Sequence, residues 1–251
     1  MHARRLYAHR GASAELPENT MPAFERAMEI GVDALETDVH LTRDGVLVVS
    51  HDETASRMGA VPARWCDLDL IEAQRLDVGW GFVAPDGSRP FAGKGFRVPT
   101  FEELLDAFPT VRLNVDIKAP LAAKPIVEMI TRKRAADRVT LASFQTMSAV
   151  GVRRAGYPGE TVLSQGEIVA LLGMPAVVFR QLPFTGGAAQ VPVHHGPIRF
   201  DRQAFIAKCH SVGLRVDYWT IDDRGEAERL LALGADGIMT NDPATLRPLF
   251  R

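Results

Sequence analysis

The chain has 251 residues, 46% of them hydrophobic and 24% charged, with a formal net charge of −2. That balance is ordinary for a soluble globular protein with a sizeable core, and the length suits one α/β barrel or two smaller domains. The near-neutral charge gives no reason to expect a nucleic-acid or anionic-membrane partner, and no apolar run approaches the roughly 18 residues of a membrane span.

Leu6-Tyr7-Ala8 predicts a short strand running into His9-Arg10-Gly11. Thr20 predicts a helix N-cap with Pro22 in the first turn, and Ala23, Phe24, Ala27, Met28 and Ile30 recur at helical spacing up to Gly31. Leu35 to His51 then reads as a strand, a tight polar turn at Thr42-Arg43-Asp44-Gly45, and a return strand from Val46 to Val49. In the outgoing arm Glu36, Asp38 and His40 stand at alternate positions, on the strand face opposite Leu35, Val39 and Leu41.

From Glu53 to Arg97 the rhythm breaks into a stretch rich in glycine, proline and tryptophan, of which only Leu68 to Leu76 looks helical. Its apolar content predicts an insertion that packs, as a lid or small subdomain. Regularity returns at Thr100, the expected N-cap of a helix through Phe108, with Glu102 and Glu103 at its positive end. Further strands are expected at Arg112–Lys118, Val139–Phe144, Thr161–Ser164, Ala176–Gln181, Leu214–Ile221 and Gly237–Thr240. Helices are expected over Lys124–Arg134, Thr146–Ala155, Glu167–Leu172, Arg202–Val212 and Arg224–Leu233, with a short one after Pro243. A long loop carries Gly186-Gly187 and His194-His195.

Eight alternating βα units at this length predict a closed (β/α)₈ TIM barrel. The expectation is one domain over residues 1–251, with residues 53–97 inserted after the second strand. No G-x-G-x-x-G follows the first strand, which weakens a dinucleotide-binding fold, and no sequence repeat supports a solenoid. Arg4-Arg5 is followed by polar rather than apolar residues, so no export signal is read there. Cys66 and Cys209 form no metal or redox spacing, and a cytoplasmic protein with reduced thiols is expected.

Active sites of such barrels lie at the C-terminal strand ends. His9 and Arg10 end the first strand, Glu36 and Asp38 lie on the second with His51 returned beside them, and Asp116 and Lys118 end the third. Strands four to six are poor in ionisable groups, so the charge gathers on one side of the mouth. Glu36, Asp38 and Asp116 are hard oxygen ligands suited to one divalent cation, Mg²⁺ or Ca²⁺. Arg10 and Lys118 supply positive charge for a phosphate. His9 and His51 supply a general base and a general acid near neutral pH. Together they suggest metal-assisted phosphoryl-ester hydrolysis.

The sequence also resembles the glycerophosphodiester phosphodiesterase family of (β/α)₈ barrels over nearly its whole length. The resemblance rests on HRG…PENT (His9 to Thr20), ETDVHLTRDG…HD (Glu36 to Asp52), LDVGWGF (Leu76 to Phe82) and VPTFEELL (Val98 to Leu105). It continues through DIK (Asp116 to Lys118), YWTID (Tyr218 to Asp222) and GADGIMTNDP (Gly234 to Pro243). It implies His9 and His51 as the acid–base pair, Glu36 and Asp38 as metal ligands, Arg10 and Lys118 on the phosphate, and Trp219 beside the glycerol. Asp116 stands where the family more often has Glu, and Asp222 where many members have Asn. The implied reaction hydrolyses a glycerophosphodiester, a small-molecule substrate, to sn-glycerol 3-phosphate and an alcohol.

Two alternatives stand beside this reading. One is phospholipase D-like hydrolysis of lysophospholipids, which needs an apolar trough in the insertion or the loop Pro183 to Pro197. The other is a catalytically silent barrel that binds a phosphate ligand, which retention of both His9 and His51 disfavours. His40 is expected to make a structural hydrogen bond, Glu18 either to approach the site or to bond within its turn, and His194-His195 to be solvated. His2 and His210 look incidental.

Overall fold

Short apolar runs broken by glycine and polar turns become parallel strands, and the amphipathic stretches between them become covering helices. In the computed structural model, which describes residues 2–143, 145–182 and 186–250, β1 (Arg5–His9) pairs in parallel with β2 (Ala34–Leu41). β3 (Leu47–Val49) folds back antiparallel on β2. β4 (Arg112–Ile117), β5 (Val139–Ala142), β6 (Thr161–Val162) and β7 (Gly186–Val191) follow in order. β8 (His194–His195) and β9 (Ile198–Arg199) form a separate small hairpin. β10 (Arg215–Tyr218) and β11 (Gly237–Thr240) complete the ring by pairing back to β1. Eight parallel strands thus close a (β/α)₈ barrel, with β3 as an extra antiparallel strand.

Local chemistry accounts for the element ends. The helix Phe101–Ala107 opens on a capping box in which Thr100 Oγ1 accepts from the Glu103 amide (3.1 Å) and the Glu103 carboxylate accepts from the Thr100 amide (2.8 Å). Thr20 occupies the N-cap position of Met21–Ile30, but its hydroxyl donates to Pro17 O (2.6 Å) and does not cap. The helices' apolar stripes meet the outward face of the strands in one large core that includes Phe24, Leu35, Phe101, Leu113, Ile126, Val216 and Leu230.

The inserted stretch packs on its own small cluster of Ala55, Met58, Trp65, Ala73 and Val78, with Val48 and Val98 from its flanks. Within it the expected helix is shorter, Leu70–Ala73, and a second four-residue helix, Ser56–Gly59, stands where none was expected.

The strand expected at Ala176–Gln181 is instead the helix Ala176–Phe179, which starts after Pro175. The sixth barrel strand is Gly186–Val191, in the segment read as loop. Its glycines are a packing requirement. A Cβ on Gly186 would lie 2.8 Å from Leu163 Cδ2, and one on Gly187 would overlap the Glu160 carboxylate. His194 and His195 lie in an exposed hairpin, not a loop. Phe144, placed at the end of the fourth expected strand, and Pro183 to Thr185 of the expected loop lie outside the described residues.

Gly11 turns the chain between β1 and the PENT segment at φ +84°, and a Cβ there would stand 2.7 Å from the Ala23 carbonyl carbon. Gly11→Ala is expected to cost about 1–3 kcal/mol through forced left-handed backbone and this contact. An unchanged urea-unfolding midpoint in that variant would contradict the placement.

Candidate active site

The C-terminal strand ends enclose a cavity of about 460 Å³. Its lining includes every residue expected from the sequence to act on proton, metal, phosphate or glycerol: His9, Arg10, Glu36, Asp38, His51, Asp116, Lys118 and Trp219. β2 and β4 run in parallel with Asp38 beside Asp116, and β1 sets His9 beside Glu36. The two-residue side-chain period therefore delivers the three carboxylates to one wall.

Two cations hold these acids. Lys118 Nζ sits between Asp38 Oδ1 (2.9 Å) and Asp116 Oδ2 (2.6 Å), and Arg10 Nε lies 3.3 Å from Asp38 Oδ2. Asn19 Nδ2 also donates to Asp38 Oδ2 (3.3 Å), while its Oδ1 accepts from Thr37 Oγ1 (2.7 Å). Burial pushes Asp38 up, but Lys118 and Arg10 together hold its carboxyl below the usual range. Glu36 is driven well above that range by burial and by the neighbouring Asp38 charge. Burial also raises Asp116, and Lys118 opposes the rise. Asp116 Oδ1 is buried with no hydrogen-bond partner. Among the described residues, no three His, Cys, Asp or Glu side chains form a ready-made metal cage.

Each cavity histidine is fixed through Nδ1. Asn241 Nδ2 donates to Asp222 Oδ2 (2.8 Å), so its Oδ1 faces His9 and accepts from His9 Nδ1 (2.7 Å). Asp222 Oδ1 further accepts from the Asn241 amide (2.7 Å) and Thr240 Oγ1 (2.8 Å). Asp222 therefore acts behind Asn241. His51 Nδ1 donates to Asp52 Oδ1 (2.7 Å). Both rings thus keep Nε2 for other partners, and His9 Nε2 stands 3.9 Å from Glu36 Oε2. Burial and the Arg10 charge lower the proton affinity of His9, against the opposing bond to Asn241. His40 Nε2 donates to the His51 carbonyl (3.1 Å), the structural bond expected of it.

Arg10 adopts φ 60°, a left-handed conformation held by hydrogen bonds from its amide to Glu36 O (3.0 Å) and from the Asn19 amide to its carbonyl (2.9 Å). Its guanidinium is braced by Glu18 Oε1 (3.0 Å). Asn19, Asn241 and Asp52 thus orient site residues, roles that the sequence alone does not assign. Asp52 had a signal in its adjacency to His51; Asn241 comes from the far end of the chain and had none beyond its place at a strand end. The lining also includes the apolar residues Ile117, Ala142, Val162, Leu163 and Met239, beside the polar Asn114, Ser143, Gln145, Gln190 and Thr220. No helix among the described residues is long and apolar enough to cross a membrane.

The model of the glycerophosphoryl diester phosphodiesterase family matches residues 9–245. A glycerophosphodiester phosphodiesterase of Caldanaerobacter subterraneus subsp. tengcongensis is 32% identical over 254 residues, covering 98% of this chain and 97% of the relative. The human lysophospholipase D GDPD1 is 28% identical over 271 residues, covering 96% of this chain and 84% of that protein. The crystal structure of a glycerophosphodiester phosphodiesterase from Agrobacterium tumefaciens superposes with a TM-score of 0.81 at 21% identity, covering 98% and 99% of the two chains. This last likeness bears on the fold alone. The chain belongs to the glycerophosphoryl diester phosphodiesterase family and is a phosphoric diester hydrolase.

Proposed function

We propose that this cavity hydrolyses a glycerophosphodiester to sn-glycerol 3-phosphate and an alcohol, with one Mg²⁺ or Ca²⁺ and a histidine acid–base pair. The observation that carries the proposal is the convergence of two Nδ1-fixed histidines, three carboxylates and two cations on one cavity. The donor set fits a hard divalent ion. Asp116 keeps a buried oxygen without a partner, and burial and the Asp38 charge push the Glu36 carboxyl up despite Arg10 and Lys118. Glu36, Asp38 and Asp116 would hold the ion, and when bound it would offset charge developing on the phosphoryl oxygens.

The remaining steps belong to the protein's own groups. Arg10 and Lys118 hold the phosphate, and Trp219 flanks the glycerol. His9, whose proton affinity burial lowers, takes a proton at Nε2 from the oxygen that bonds to phosphorus, which is water or a glycerol hydroxyl whose cyclic phosphodiester water then opens. His51, with its Nδ1–H on the Asp52 carboxylate, delivers a proton from Nε2 to the departing alkoxide. Residues 53–97 act as a small subdomain inserted in a single barrel domain. The unpaired Cys66 and Cys209 support a cytoplasmic setting.

A coupled assay of glycerol 3-phosphate release across choline, ethanolamine, inositol and glycerol headgroups tests the reading. Release is expected with Mg²⁺ or Ca²⁺, with loss in EDTA and recovery on adding the ion back. Release that EDTA leaves unchanged would exclude the metal.

Exposed apolar residues after β4 and β5 favour a second substrate, a lysophospholipid. Leu121, after β4, is 81% exposed, and Met147, after β5, is 68% exposed. They offer exposed apolar surface to an acyl chain. Part of the loop expected to form an apolar trough is the strand β7, while the insertion exposes Ile71 and Val83. Relative kcat/KM for glycerophosphocholine and lysophosphatidylcholine decides between the two.

A further inference from the structure

Arg57 stands on the four-residue helix Ser56–Gly59 of the inserted segment, and its three guanidinium nitrogens engage two carboxylates. Nε donates to Asp52 Oδ2 (2.6 Å), Nη2 to Glu18 Oε1 (2.7 Å) and Nη1 to Glu18 Oε2 (2.9 Å). Each of those carboxylates also holds a cavity residue. Asp52 accepts from His51 Nδ1 (2.7 Å), and Glu18 accepts from Arg10 Nη1 (3.0 Å). A continuous chain of alternating charge therefore runs His51–Asp52–Arg57–Glu18–Arg10. A planar guanidinium gives separate nitrogens to two carboxylates in one fixed plane, whereas an ammonium, as at Lys118, serves two only where both converge on one nitrogen.

The segment is tied down at the same point. Trp65 Nε1 donates to the Asp52 carbonyl (2.8 Å), and Met58, next to Arg57, is buried in the insertion's own cluster. Gly81 approaches so closely that a Cβ on it would lie 2.5 Å from Met58 Cα. Asp52 and Glu18 are each pushed up by burial, yet both lie below the usual carboxylate range because Arg57 and their other partners outweigh it. Arg57 itself is half-exposed, so its ion pairs add little to fold stability. Its effect lies in geometry.

We propose that Arg57 is a positioning residue through which the inserted segment aims both His51 and Arg10. The proposal rests on the hydrolase reading for what those two residues do. Loss of Arg57 leaves Asp52 and Glu18 facing each other without the cation that separates them. His51 then loses a fixed partner and Arg10 a fixed brace. Misplacement of reacting groups by about 1 Å costs about 10²-fold in rate.

The test has two readouts on the full chain. One is steady-state hydrolysis of glycerophosphocholine with Mg²⁺ or Ca²⁺ present. The other is the ring ¹⁵N spectrum of His51 without substrate, assigned by its loss in His51→Gln. Asp52→Asn is expected to lower kcat with little change in KM, and Glu18→Gln to raise KM with little change in kcat. Arg57→Ala is expected to do both, with kcat down about 10–100-fold. Adding Arg57→Ala to Asp52→Asn should lower kcat no further, and Arg57→Lys should restore one effect but not both. The His51 Nδ1–H should be held on Asp52 in wild type, and its signal should be lost to exchange in Arg57→Ala. Losses that multiply independently, or a lowered melting temperature with unchanged kcat, KM and ring signals, would overturn the proposal. If Arg57→Ala does not fold, Gly81→Ala, which keeps Arg57 but displaces its helix, must move the same ring signals. Unmoved signals there also overturn it. A wild type that turns over no diester, with ring signals that still respond to Arg57, would sink the hydrolase reading and leave the positioning of His51 standing.

Discussion

His9→Ala is expected to lower kcat by about 10²–10⁴-fold, the usual contribution of a positioned general acid or base. His9 lines the cavity beside Glu36, and Asn241 and Asp222 hold its ring so that Nε2 is the nitrogen left for the substrate. The imidazole is not one of the proposed metal ligands. Divalent-ion binding, measured by titration calorimetry, should therefore stay near wild type while turnover collapses. Asn241→Leu, which removes the acceptor that fixes the tautomer, should fall between the two. Wild-type turnover in His9→Ala would place the proton transfer elsewhere.

Arg215→Met is expected to cost about 3–5 kcal/mol of stability, because it strands a buried charge. Arg215 begins β10, and its guanidinium bonds to Glu160 Oε1 (2.9 Å), to Tyr7 Oη (3.3 Å) and to Asp217 Oδ2 (3.4 Å). Asp217 is completely buried, and Tyr7 Oη (3.2 Å) and Gln190 Nε2 (3.2 Å) also donate to it. Burial already raises its carboxyl, against the opposing charge of Arg215. Without Arg215 the rise is larger. A carboxyl whose pKa is higher folded than unfolded takes up a proton on folding, so the variant should regain stability as pH falls. Asp217→Asn placed on top of Arg215→Met should recover part of the loss at neutral pH. A urea-derived loss below about 1 kcal/mol, independent of pH, would contradict the role given to this pair.

Where one residue class has one local meaning, the fold could be read directly. Alternation in Leu35–Leu41 put Glu36 and Asp38 on the interior face, and Gly45 at φ 81° closed the hairpin that returns His51. Thr100 with Glu103 marked a helix start that the structure keeps. The sixth strand was not legible, because Gly186-Gly187 serves close packing against Leu163 and Glu160 rather than a turn. The apolar run Ala176–Phe179 has the composition of a strand, yet it is a helix after Pro175 that buries only Phe179 and exposes Val177 and Val178.

The candidate site divides along the same line. Cavity residues followed from strand ends, each a local inference. The groups that orient them did not, because Asn241, Glu18 and Arg57 meet their partners only after the barrel closes and the inserted segment docks. Asp222 illustrates the difference. From the sequence it was an uncertain substitution; in the fold its carboxylate leaves Asn241 one orientation of its amide toward His9.

The central claim is that His9 and His51 cleave a glycerophosphodiester in this cavity. ³¹P NMR of glycerophosphocholine incubated with the protein and Mg²⁺ or Ca²⁺ tests it most directly. The expected result is replacement of the diester signal by that of sn-glycerol 3-phosphate in wild type, with the diester persisting in His51→Ala. A diester signal that persists in wild type with either ion, or disappears equally fast in His51→Ala, would contradict it.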